Sequence, residues 1–202
     1  MRSIRKTAAM KNSLKTKAVS QGQKSTISMK TFNPHGDSAV DVLVAEWGAV
    51  LPSHNLAAKE ITSRILRIET AIRTARNAVF ERFSLLDTEF RLLAGLRRSG
   101  PPFRRSPSEI SPRYVPVTSG GLTGVINRLQ RRGLVSRVAH ATDGRGTLIQ
   151  LTEQGRVLIE QAMAVVAEVE ARLISGLTDE ECAAGTKFLQ KLLRTMHGVL
   201  ST

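Results

Sequence analysis

The sequence predicts a mainly α-helical chain interrupted by one small two-stranded β-hairpin. Three observations carry that prediction. Apolar residues recur at spacings of three and four over most of residues 38–200, the period of amphipathic helices. The period changes once, at residues 134–151, where two short alternating runs flank Asp143-Gly144, a strong hairpin signal. Aromatic residues make up only 4% of the 202 residues while apolar residues make up 41%, so the core must be built by aliphatic helix packing.

Residues 1–36 carry eight Lys or Arg and no acid, with no apolar period. Such a composition cannot bury enough apolar surface to offset the entropy of ordering. It reads as a disordered basic tail, either a non-specific DNA arm or a stretch lying largely ahead of a start at Met29. Organelle transit peptides share this basic, acid-free character. The folded region is then 37–202. Residues 38–50 form a short helix with Val40, Leu43, Val44 and Trp47 on one side, and Pro52 ends it. Ser53 or Asn55 can cap the next helix. There Ile61, Ile65, Ile68, Ile72, Ala75, Val79 and Phe83 make a heptad-like seam. Residues 85–98 form a third helix, started by Ser84 or Asp87, with Leu86, Phe90, Leu93 and Leu96 facing inward. Gly100-Pro101-Pro102 ends it.

Ser106-Pro107-Ser108-Glu109 has a hydroxyl cap, a proline at the first helical position and a glutamate three residues after the cap. Pro112 keeps that helix short or kinked, and Tyr114 to Val117 form a turn. The following helix, residues 118–132, is capped by Thr118 or Ser119 and ended by Gly133. Its inner stripe is Leu122, Val125, Ile126 and Leu129; its outer face holds Ser119, Thr123, Asn127, Arg128 and Arg131. Two helices joined by a tight turn and followed by a hairpin form a winged helix-turn-helix, spanning 84–152. Residues 153–175 and the last helix, opened by a Thr178/Glu181 capping box, offer further seams: Leu158, Val165, Val166, Val169 and Leu173, then Phe188, Leu189, Leu192, Leu193 and Met196. Segments 37–83 and 153–202 therefore read as helical pairing elements for two copies of the chain, although packing within one chain would use the same faces.

Charge supports a nucleic-acid partner. The net charge is +13. Residues 104–145 hold eight Arg against Glu109 and Asp143, a net of +6; with the +8 of residues 1–36 this makes +14, leaving about −1 for the rest. Basic charge placed this way neutralises phosphates. On the recognition helix, Ser119, Gly120 and Thr123 stand near bases or phosphates and Asn127 is a base reader. Arg128 and Arg131 hold the DNA backbone, unless Arg128 ion-pairs within the fold. Arg145, near the hairpin tip, suits the negative potential of a minor groove, and Asp143 orients a wing arginine.

Other chemistry finds little support. His35, His54, His140 and His197 lack partners at metal-ligand spacing, so no metal site is expected. There is no phosphate-binding loop and no nucleophile elbow, and Gly120-Gly121 follows no strand of a dinucleotide fold. No catalytic residue and no cofactor is expected. The lone Cys182 excludes an internal disulfide framework, fits a reducing cytoplasm and reads as a buried structural thiol, because three acids precede it. No run is apolar enough to span a membrane.

The run RLQRRGLVSR, the pair Asp143 and Arg145, and LIQLTEQGR resemble the winged-helix core of the MarR family. Residues 90–98 and Gly100-Pro101-Pro102 resemble its PecS/urate-responsive branch. The resemblance covers residues 46–198. It implies a homodimeric bacterial repressor, cytoplasmic and nucleoid-associated, that binds a pseudo-palindromic operator on double-stranded DNA and is released by a small aromatic or anionic effector or by oxidation. It further implies a ligand pocket involving Trp47, with Arg91 or Arg104 binding an anion. Arg91 departs from the branch, which has Asp there, and Gly124 stands where many relatives carry a polar residue. The alternative function is a sequence-tolerant architectural DNA-binding protein driven by the basic tail.

Overall fold

The computed structural model describes residues 36–53, 55–111, 113–139 and 146–200. Among these residues, seven helices and three short strands follow in the order α1 Gly36–Val50, α2 Leu56–Arg82, α3 Asp87–Arg98, β1 Arg104–Arg105, α4 Pro107–Ile110, α5 Ser119–Arg131, β2 Val135–Ala139, β3 Thr147–Leu151, α6 Glu153–Leu173 and α7 Asp179–Leu200. The expected basic tail, Pro112, and the hairpin tip with Asp143 and Arg145 lie outside the described residues.

Most helix starts follow from local chemistry. The Asn55 side chain accepts from the Ala58 amide at 3.0 Å, the first-turn cap that an Asx residue supplies. Ser106 and Glu109 close a reciprocal box: the Ser106 amide donates to Glu109 at 2.8 Å and the Glu109 amide to Ser106 Oγ at 3.3 Å. Thr178 and Glu181 repeat it at α7, at 2.8 and 3.2 Å. The first helix of the helix-turn-helix is short as expected: α4 has four residues, and Ile110 is fully buried.

The sheet has three strands, not two, in the order β1-β3-β2, all antiparallel. Arg104 pairs with Gln150 and Arg105 with Ile149, so β1 closes the inner edge of the hairpin. The third helix begins at Asp87 with Leu86 as its cap. Ser84 adopts φ 52° at the α2–α3 corner. Leu85 is therefore buried, and Leu86, expected to face inward, is exposed.

The core lies where α3, α5, the sheet and α6 up to Val169 meet the end of α2. Its largest fully buried side chains include Leu92, Leu93, Leu96, Ile110, Leu129, Ile149 and Ile159. The inner stripe of α5 is the expected one, Leu122, Val125, Ile126 and Leu129, all buried. On α6 the buried side chains are Ile159, Ala162, Val166 and Val169; Leu158 and Val165 are partly buried and Leu173 is exposed. The outer helices differ. The α2 seam is buried only from Ala75 onward, leaving Ile61, Ile68 and Ile72 exposed, and α7 has no buried residue. Cys182, on α7, is half-buried rather than buried.

Candidate nucleic-acid interface

The site is the outer face of α5 together with the strand that runs beside it. Thr118 caps the helix by accepting from the Gly121 amide at 3.2 Å. That leaves the exposed Ser119 and Gly120 at the electropositive end of the helix dipole. A β-carbon placed on Gly120 would meet nothing within 4 Å, so a phosphate or base can approach the helix end closely. One turn on, the Thr123 hydroxyl donates to the Ser119 carbonyl at 3.0 Å. Its methyl group and the two lone pairs of its oxygen are what the exposed side chain offers. Gly133, at φ 69°, stops the helix in a backbone conformation that favours glycine.

Further along, Asn127, Gln130 and Arg131 line a shallow depression of about 530 Å³ on the exposed face. Asn127 and Gln130 are not independent there. Arg137, at the centre of β2, reaches across and donates from Nη2 to Asn127 Oδ1 at 2.8 Å and from Nη1 to Gln130 Oε1. Arg131 is exposed beside them. Thus Ser119, Gly120, Thr123, Asn127 and Arg131 share one solvent-facing surface, as the sequence reading grouped them.

Arg128 is engaged inward. Its Nε donates to Glu89 Oε1 at 2.9 Å, and Arg132 Nη1 donates to Glu89 Oε2 at 3.3 Å. Glu89 is 3% exposed. A carboxylate so far from water needs cationic or amide donors on its oxygens. It has three: the two guanidinium groups and the Leu86 amide, which donates to Oε2 at 3.1 Å. Arg132 also donates to the Ser84 carbonyl at 2.7 Å. The recognition helix is therefore tied to the α2–α3 corner by one buried anion. The intramolecular alternative weighed for Arg128 is the arrangement observed. Glu89, Arg132, Gln130 and Arg137 were missed by sequence reading. Glu89 could have been found as the third helical residue after a cap, had Leu86 been taken as the cap.

The three ligand-pocket candidates are dispersed within one chain. Trp47 lies on α1, 5.0 Å from Lys59 Nζ near the start of α2. Arg91 lies on α3, next to Phe90, whose ring packs 4.7 Å from Phe80 near the end of α2. The 21 residues from Lys59 to Phe80 span about 30 Å of helix. Arg91 pairs with Asp87 at 2.5 Å, and Arg104 sits half-buried on β1. A smaller depression of about 270 Å³ between α3 and α6 is lined by Arg97, Arg98, Glu160 and Met163. There Arg97 donates to Glu160 at 2.6 Å, and this, together with Arg156, holds the Glu160 carboxyl below its usual range. Among the described residues no three His, Cys, Asp or Glu side chains are grouped to hold a metal, and no helix is long and apolar enough to cross a membrane.

A model of the MarR family matches residues 83–146. The regulator PecS of Dickeya dadantii is 30% identical over 142 residues, 70% of this chain and 85% of PecS. The transcriptional repressor Rv2887 of Mycobacterium tuberculosis is 30% identical over 128 residues, 63% of this chain and 89% of its own. The crystal structure of a mutant MarR from E. coli, complexed with operator DNA, shares the fold with a TM-score of 0.57 at 24% identity. It covers 73% of this chain and 97% of its own.

Proposed function

This chain belongs to the MarR family of DNA-binding transcription regulators, and on that premise we propose that it is a homodimeric repressor of a pseudo-palindromic operator, released by a small aromatic or anionic effector. The observation that carries the reading is the two-sidedness of α5: four apolar side chains buried on one side, an uninterrupted polar face on the other. A helix held that way can lie in a major groove and present Ser119, Gly120, Thr123, Asn127 and Arg131 to base edges and phosphates. Arg145 would enter the adjacent minor groove, with Asp143 orienting the wing.

The dimer is supported by the apolar surface left on the outer helices. Trp47, Ile61, Ile68, Ile72, Phe188, Leu189, Leu193 and Met196 are all exposed in one chain. A second copy covering them would set two recognition helices about one helical turn of DNA apart. Because Trp47 and Arg91 stand far apart in one chain, an effector touching both would need residues of both copies. Operator release on titration with small aromatic acids tests the effector; no release by any of them removes that part of the reading.

The first experiment compares the protein's own upstream intergenic duplex with a scrambled duplex across a salt series. A preference of roughly a thousandfold or more is expected. Equal binding with a steep salt slope would instead establish the sequence-tolerant architectural alternative.

A further inference from the structure

Arg137 is exposed on β2, yet its guanidinium lies over the reading face of the neighbouring helix and bonds both amides there. An arginine offers five N–H donors and no acceptor. The amide groups of Asn127 and Gln130 must therefore turn their oxygens toward it, which leaves their NH₂ groups facing outward. The depression beside them is completed by Arg131, again only a donor. In the major groove, guanine presents two adjacent acceptors, N7 and O6, whereas adenine presents one acceptor and one donor. A free Asn or Gln matches adenine by using its oxygen and its NH₂ together. Here each oxygen accepts from Arg137 through one of its two lone pairs and is held toward β2, so the NH₂ group is the part of each amide left presented outward.

We infer that Arg137 is a specificity-determining residue: by holding the oxygens of Asn127 and Gln130 toward the strand it makes this part of the helix present mainly donors, and so select guanine over adenine. The inference rests on the DNA-binding reading given above and goes beyond it, because it places the choice of base on a strand residue outside the recognition helix. It also couples the two reading elements, since the hydrogen bonds that orient the helix amides come from the strand leading to the wing.

The test is selection from a randomised duplex pool with the full chain, followed by affinities on the selected sites. Wild type should select guanine at the half-site position facing the depression. Arg137→Ala frees the two amide oxygens, so the preference at that position should switch to adenine. A switch of one bidentate contact corresponds to roughly five- to 150-fold between the two bases. Asn127→Ala provides the control: with the amide gone, its share of the discrimination should be lost rather than switched. Melting curves should be unchanged for both variants, since both side chains are exposed. Identical base preferences in wild type and Arg137→Ala would overturn the inference. So would a uniform loss of affinity on every duplex with the salt slope reduced by about one, which would make Arg137 a phosphate contact. Failure of wild type to select any sequence would remove the regulator reading itself along with the inference.

Discussion

Helices α5 and α7 carry apolar stripes of equal regularity and meet opposite fates. On α5, Leu122, Val125, Ile126 and Leu129 are buried in a core that the chain's own α3 and sheet close over them. On α7, Phe188, Leu189, Leu193 and Met196 remain exposed, Leu193 at 57%. The same contrast divides α2, buried from Ala75 onward and bare through Ile61, Ile68 and Ile72. An amphipathic period states that a face will be covered; it does not state by what. The reader closes on itself, and the outer helices do not.

The sharpest way to break that contrast is to cut into each region in turn. Leu129→Ala should cost about 2–5 kcal/mol, as a fully buried leucine does when truncated, read as a lower midpoint in urea unfolding. A loss near zero would mean that the reader's core is loose. On α7, Phe188→Asp combined with Leu193→Asp should leave the reader folded. It should raise the dimer dissociation constant on the order of a hundredfold, two apolar anchors lost from one interface, as followed by sedimentation. An unchanged sedimentation profile would show that this face pairs with nothing.

Between those extremes stands the buried carboxylate. Glu89→Ala should destabilise by about 1–3 kcal/mol, because it removes at once the acceptor of the Leu86 amide, of Arg128 and of Arg132, which keeps only the Ser84 carbonyl. Arg128→Ala should cost less, since Arg132 and the amide still serve the carboxylate. The reverse order in thermal unfolding would place the weight on Arg128. Arg131→Ala should leave stability within about 0.5 kcal/mol, as exposed substitutions do. It should weaken DNA binding evenly across sequences and lower the salt slope by about one.

The smallest effect belongs to Glu160, whose carboxyl is held below its ordinary value of 4.5 first by the hydrogen bond from Arg97 and then by Arg156. A group depressed on folding stabilises above its unfolded value and loses that contribution as pH falls through the folded one. Glu160→Gln should therefore flatten the stability profile only below about pH 4.5, measured by melting at pH 3 to 7. An equal change at pH 7 and pH 3 would show a packing effect instead.

Legibility in the sequence followed the length and regularity of the signal. The α5 stripe and the two capping boxes were readable because period and spacing are local. Strand β1 was not: Arg104-Arg105 is too short to alternate, and only its pairing with β3 defines it. The α3 start, read at residue 85 with Ser84 or Asp87 as its opening residue, falls at Asp87, because Ser84 at positive φ breaks the chain from helical geometry at the corner. Arg137 looked like any outward strand residue, since what gives it meaning lies seven and ten residues earlier on another element. Arg128 was ambiguous for the same reason: its partner is 39 positions away.

One joint has a mechanical consequence. Gly155, in the first turn of α6, lies so close to the strand lead-in that a β-carbon there would come within 2.1 Å of the Leu134 carbonyl oxygen. Just before it, the Thr152 hydroxyl donates to the Gly133 carbonyl at 2.7 Å. The end of α5 and the root of α6 thus form a single stiff elbow, with no side chain at residue 155 to hold the two backbones apart. From that elbow α6 extends 21 residues, about 30 Å as a helix. It is a lever rigidly rooted in the reader: a rotation of the reader by about 10° carries the far tip some 5 Å sideways along that length.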